Sequence, residues 1–249
     1  MLILAMETST SVGSIALVRA PVGGKDGKDL EMEGKCLAEH TLNIPGTHSE
    51  RLMPALDNLL QEASLSIREI GGIALALGPG SFTALRIGVS TVKGLAYALR
   101  VPVAGVPTLD VLAQNLCYAS ALVCPVLDAR KKEVYAALYR GDGEGRLEKI
   151  TEDWVIDPEE LCSRIDGKVI FLGNGVDVYG ETFREKLGLR ALFAPPTFSL
   201  PRAVQVARLS IPRFNSGHTL NLFSFTPFYL RRSEAEIHFQ APPPSPSQE

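Results

Sequence analysis

The run Leu75-Ala76-Leu77-Gly78-Pro79-Gly80-Ser81-Phe82-Thr83-Ala84-Leu85-Arg86-Ile87-Gly88 carries the sharpest structural signal in the chain. Gly72 to Leu77 is a short apolar run bounded by glycine, the pattern of a buried strand. Phe82 to Leu99 contains no proline and predicts a helix of about five turns. Between them, Gly78 and Gly80 permit a tight turn with little side-chain bulk, and Ser81 stands at the N-cap position. A strand that passes through glycines into a helix N-terminus offers free N–H groups and the positive end of the helix dipole, a geometry able to hold a phosphate. The segment is no Walker A loop, because the second glycine and the Lys-Ser/Thr pair are absent at the required spacing. A plain strand-to-helix turn fits the same residues.

Apolar residues go most of the way round the predicted helix, interrupted by Arg86, Ser90, Thr91 and Lys93. Such a helix is covered on more than one side. Ala84, Gly88, Thr91 and Ala98 leave small positions where a second helix can approach. Glu50 to Ala63 carries Leu52, Met53, Leu56, Leu59 and Leu60 at helical spacing, with Pro54 opening or kinking its first turn. Together the two helices predict a docking surface with Leu52, Met53, Leu56, Ala84, Ile87, Gly88 and Thr91 as its candidates.

The order upstream is strand (Leu2 to Met6), strand (Val12 to Val18), a solvated loop (Ala20 to Gly34) and strand (Cys36 to Leu42), giving βββαβα through Leu99. Pro102 to Pro107 reads as a connector, and Asp110 to Cys117 as a linking helix. The pattern then repeats. Strands are expected at Ala121 to Leu127, Val134 to Tyr139 and Leu147 to Ile156, then a helix at Pro158 to Arg164. A strand at Val169 to Leu172 and a helix at Val178 to Leu187 complete the second unit. Each unit has a carboxylate after its first strand, Glu7 and Asp128, and a Gly-x-Gly after its fourth, Gly78-Pro79-Gly80 and Gly173-Asn174-Gly175. Ligands of parallel α/β sheets sit at the carboxyl ends of strands. The duplication therefore predicts one cleft lined by Glu7, Thr8, Ser9, Gly78, Gly80, Ser81 and Asp128. Pro201 to Leu209 is read as a last helix packed back on the first unit, Thr226 to Arg232 as an extended end and residues 241–249 as a disordered tail. The lobes are expected at 1–105, completed by 201–235, and at 106–200.

With 249 residues, 45% hydrophobic and 21% charged, the chain suits one large domain or two ordinary ones. A net charge of −3 argues against strong nucleic-acid binding by the chain alone. The four cysteines form no C-x-x-C pair, so zinc and disulfide frameworks are not expected, and reduced cytoplasmic thiols are. Met1 to Met6 lacks the basic flank of a secretory signal, and no segment is apolar enough to span a membrane. His40 and His48 are not an i, i+4 pair, so no metal is expected. Ser81 has no accompanying His-and-acid signature for a hydrolytic triad. Arg130-Lys131-Lys132 can meet an RNA backbone or simply form a solvated turn.

The duplicated α/β unit resembles the ribonuclease H-like, actin-like (ASKHA) superfamily that includes sugar kinases. Met6-Glu7-Thr8-Ser9-Thr10, His48-Ser49-Glu50-Arg51-Leu52-Met53-Pro54, the Gly78–Gly88 stretch, Asp128-Ala129-Arg130 with Glu133-Val134-Tyr135, and Tyr229-Leu230-Arg231 are similar to the TsaB (YeaZ) family over residues 1 to about 235. Glu7 stands where that family commonly has Asp, and Ala84 where it commonly has Gly. The resemblance implies a scaffold without catalytic residues that partners TsaD, with the ATPase TsaE, in placing threonylcarbamoyl on adenosine 37 of tRNAs reading ANN codons. It also implies a homodimer in isolation, through the first-lobe helices, and contact with tRNA through the complex. No cofactor is required, and weak ATP or ADP binding stays open. Two rival readings are a small-molecule kinase, which the missing Asp-x-Gly turns disfavour, and a metallopeptidase, which the missing histidine pair disfavours.

Overall fold

The computed structural model describes residues 1–21, 34–44 and 47–231. The expected loop at Ala20 to Gly34 and the tail fall mostly or wholly outside these residues. Strands β1 (Leu2–Glu7) and β2 (Gly13–Arg19) form an antiparallel hairpin, and β3 (Lys35–Leu42) adds to β2. Helix α1 (His48–Glu62) follows, with Pro54 held inside it. Then come β4 (Ile70–Ala76), α2 (Phe82–Leu99) and β5 (Val103–Val106). Both β4 and β5 run parallel to β1, giving the order β3-β2-β1-β4-β5.

Helix α3 (Thr108–Ala113) and a 3-10 turn lead to β6 (Leu122–Arg130), β7 (Glu133–Ala136), β8 (Tyr139–Gly141), β9 (Leu147–Lys149) and β10 (Trp154–Ile156). Helix α4 (Pro158–Ser163), β11 (Val169–Leu172), α5 (Gly175–Leu187) and β12 (Ala191–Phe193) complete the second sheet, whose main path is β10-β7-β6-β11-β12. The two sheets repeat one arrangement: on one side of the first strand two strands are added by successive antiparallel pairings, on the other two by parallel pairings.

Four expectations need correction. Val103–Val106 is a strand and not a connector; its prolines sit just outside the ladder, where the missing N–H does no harm. Val134 to Tyr139 is two strands, because the Leu138 N–H bonds the Thr151 hydroxyl at 2.9 Å and the chain then changes partners. Leu147 to Ile156 splits likewise into β9 and β10. The final helix α6 (Ala203–Asn215) runs through Pro212, with Ile211 in the core and Phe214 lying over Gly72.

The first sheet has a core on each face. Leu52, Leu56 and Leu59 of α1 and Val89 and Val92 of α2 pack against Leu4, Met6 and Leu75 on one face. On the other, Val206, Ala207 and Ile211 of α6 meet Ile3, Ala16 and Ala74. In the second sheet, Phe171 and Phe183 stack at 4.3 Å inside a separate cluster. Lys149 lies between Asp110 at 2.8 Å and Asp153 at 2.6 Å, and Tyr139 donates to Asp110 at 2.6 Å. That network ties α3 to the second sheet.

Candidate functional site

The turn after β1 is buried. Glu7, Thr8 and Ser9 have no solvent exposure. The Ser9 N–H donates to Glu7 Oε1 at 2.5 Å, and the Ser81 N–H donates to the Ser9 carbonyl at 2.7 Å. The glycine turn after β4 is thereby laid directly on the turn after β1. Gly80 is required for this approach, since a Cβ there would run into the Ser9 carbonyl. Glu7 Oε2, Thr8 Oγ1 and Ser9 Oγ find no hydrogen-bond partner among the described residues. Burial pushes the Glu7 carboxyl up to about 7, against the lesser downward pull of its bonds from Ser9. Ser81 holds the N-cap position of α2, but its side chain makes no capping bond.

A strap formed by residues 218–231 closes this turn from above. The Leu220 N–H bonds the Val103 carbonyl and the Phe228 N–H bonds the Leu77 carbonyl, both at 2.7 Å. Gly78, at φ +122°, lies against the Phe228 carbonyl where any side chain would sit. Tyr229 stacks on Phe82 at 4.8 Å and accepts from Arg86 Nε at 3.1 Å. Arg231 then reaches the second lobe, 3.1 Å from Glu133. The space beside Gly80 is taken by the Ser9 carbonyl and the space beside Gly78 by the Phe228 carbonyl, so both glycines are packed against backbone. Tyr229-Leu230-Arg231 is visible in the sequence as a motif, yet nothing local to it says that the segment returns to the glycine turn.

The matching place in the second lobe is more open. Asp128 lies near the end of β6, half-buried; its N–H donates to Asn174 Oδ1 at 3.1 Å, and its Oδ1 accepts from the Arg130 N–H at 2.9 Å. The Arg130 guanidinium stands 3.3 Å from Asp128 Oδ2. Gly173, at φ +103°, and Gly175 pack on the Val126 carbonyl, which sets the N-terminus of α5 beside Asp128. Glu7 and Asp128 thus occupy equivalent positions, one sealed and one reachable.

His48 opens α1 and its Nε2 donates to the Thr10 carbonyl at 2.7 Å, while His40 Nε2 lies 2.9 Å from Glu62. Among the described residues no group of three His, Cys, Asp or Glu side chains is placed to hold a metal, and no helix is long and apolar enough to cross a membrane.

The expected docking helices do lie side by side, but the candidate face is only partly outward. Leu52, Leu56, Ala84 and Gly88 are buried within the chain. The reading of Gly88 as a seat for a partner helix is corrected: a Cβ there would strike Thr8 Oγ1, so the glycine serves contact with the turn after β1. Met53 is exposed, and Ile87 and Thr91 are half-buried. Residues not among the candidates complete the outward face. Gly94 has open space at its Cβ position, and the exposed Tyr97 meets exposed Phe223 of the strap edge-on at 6.4 Å.

Comparison with known proteins matches these features. The family model described as TsaD, tRNA N6-adenosine threonylcarbamoyltransferase, covers residues 42–239. The tRNA threonylcarbamoyladenosine biosynthesis protein TsaB of Bacillus subtilis is 31% identical over 95% of this chain and 96% of its own length. The Escherichia coli TsaB is 30% identical over 94% and 96%. The structure of YeaZ from Pseudomonas aeruginosa superposes with a TM-score of 0.73 at 29% identity, covering 92% of this chain and 99% of that one. A duplicated sheet of this order, with paired loops at the strand ends, defines a two-lobed actin-like (ASKHA) protein. Within that class, the chain belongs to the TsaB family.

Proposed function

We propose that the chain is the non-catalytic partner of TsaD in forming threonylcarbamoyladenosine at position 37 of tRNAs that read ANN codons. The observation that carries this reading is the filled first-lobe turn. Kinases of this superfamily need a phosphate to approach the backbone there. Here Glu7, Thr8 and Ser9 are buried under Gly80, and Phe228 covers Gly78. What is left to such a chain is to bind and position. The site residues around Asp128 and Asn174 are the part of the cleft where a weak hold on ATP or ADP fits, with no cofactor needed for the role.

The docking surface is the outward side of α1 and α2: Met53, Ile87 and Thr91, extended by Gly94 and Tyr97. TsaD and a second copy of this chain compete for it, TsaE joins the TsaD complex, and tRNA is met through that complex. Gly94→Glu puts a charge into open space at this surface, so the monomer stays folded. In sedimentation velocity, wild-type chain shifts on adding TsaD and the folded Gly94→Glu variant does not. Undiminished association by that variant and by Met53→Lys would place the surface elsewhere.

A further inference from the structure

Helices α1 and α2 pack on one face of the first sheet and carry opposite charge outward. The exposed residues of α1 include Glu50, Asp57 and Glu62 and no lysine or arginine. Those of α2 include Arg86, and that helix contains no acid at all. Within the chain these charges are only partly answered. His40 lies 2.9 Å from Glu62, and Asp57 accepts from the Gln61 amide at 3.2 Å. The Glu50 side chain has no ion pair or hydrogen bond among the described residues.

Arg86 is held in place but not neutralised. Its guanidinium lies 3.9 Å over the Phe82 ring, and its Nε donates to the Tyr229 hydroxyl at 3.1 Å. Both terminal amino groups have no partner among the described residues, and they form the fork that fits a carboxylate. The cation also stands in the second turn of α2, near the positive end of the helix dipole, and the first turn holds no acid. This corner lacks an acid that only another chain can bring.

A second copy brings it by symmetry. Helix α1 joins β3 to β4 and α2 joins β4 to β5, and those three strands run in one direction. Both helices therefore run back the same way and start at the same edge of the sheet. A two-fold axis along the helices sets α1 of each copy over α2 of the other, with their starts together. Glu50 is the third residue of α1 and Arg86 the fifth of α2. At 1.5 Å per residue the two fall within about 3 Å of one level. We infer that this face takes a second copy of the chain, with Glu50 of each copy on the Arg86 fork of the other. The inference rests on the reading of α1 and α2 as the docking surface, and it adds the pair of residues and the orientation that select a second copy.

The test is charge reversal in the full chain, read by sedimentation equilibrium in low-salt buffer after circular dichroism has confirmed folding. Arg86→Glu and Glu50→Arg each turn two attractions into two repulsions, and each alone should weaken the dimer by roughly 10- to 100-fold. An equimolar mixture of the two folded variants restores both pairs, one reversed and one native, and should associate as wild type does. Glu50→Arg alters a side chain with no partner in its own chain, so its result stands even where loss of the Tyr229 contact unsettles Arg86→Glu. A Glu50→Arg dimer as tight as wild type would overturn the proposal, as would a mixture no tighter than its two components. A wild-type chain that stays monomeric at every concentration would overturn it too. The proposed function keeps its own readout, the shift of the wild-type chain on adding TsaD, so the two can fail separately.

Discussion

Glu7→Gln is the most informative single change in the first lobe. The Glu7 carboxyl is fully buried, with Oε2 unpartnered among the described residues, and burial raises it from 4.5 to about 7. A folded-state pKa above the unfolded one means that the folded chain holds the proton more tightly. The stability this confers is full below pH 4.5 and is lost as pH rises through about 7. A shift of about 2.5 units corresponds to about 3 kcal/mol over the whole range, and about 2.5 kcal/mol between pH 5 and pH 8. Glutamine cannot ionise, so this loss disappears in the variant, while its buried amide adds a penalty that does not vary with pH. Urea unfolding of both proteins at pH 5, 6, 7 and 8 isolates the effect. The stability difference should move in favour of Glu7→Gln by about 2.5 kcal/mol over that span, or roughly 5–10 °C in melting temperature for a chain of this size. A difference that stays constant with pH would refute the reasoning and show that the charged carboxylate is accommodated, for instance by the N-terminus of α2.

The other expectations follow from the same contacts. Gly80→Val forces the turn after β4 off the Ser9 carbonyl and should destabilise by roughly 1–3 kcal/mol, read by chemical denaturation; an unchanged midpoint would mean the close approach is dispensable. Gly88→Glu should unfold the first lobe and not merely dissociate a partner, since its side chain has only Thr8 and Leu75 to enter; circular dichroism separates the two. Lys149→Met strands Asp110 and Asp153, both mostly buried, without their cation and should cost about 2 kcal/mol in chemical denaturation; an unchanged midpoint would mean that the cation is dispensable to the network.

The duplicated order is legible because each unit announces itself with periodic apolar runs and punctuating glycines. Phe82–Leu99 is bounded by its residues alone: glycine and proline before it, no proline within it. The short strands at Val103–Val106 and Ala191–Phe193 are not, since three or four residues exist as strand only by pairing with β4 and β11. The glycines stand out in the sequence, but their reasons do not. Gly80 and Gly88 are small because the turn after β1 lies against them, and that contact joins residues far apart in sequence. The strap is hidden for the same reason. Its aromatic residues look like an ordinary apolar end until Phe228 is seen on Gly78 and Tyr229 on Phe82. The left-handed tip at Arg130, Lys131 and Lys132 leaves no sequence signal, because lysine is not the residue that conformation selects.

The central claim is that this chain supplies no chemistry of its own and makes TsaD competent. Threonylcarbamoyladenosine formation on unmodified tRNA, followed by nucleoside chromatography with TsaD, TsaE, ATP and the threonylcarbamoyl-adenylate donor present, tests it directly. The predicted result is product only when this chain and TsaD are both added, with Glu7→Gln as active as wild type. Product formed by TsaD at the full rate without this chain, or by this chain without TsaD, would contradict the account.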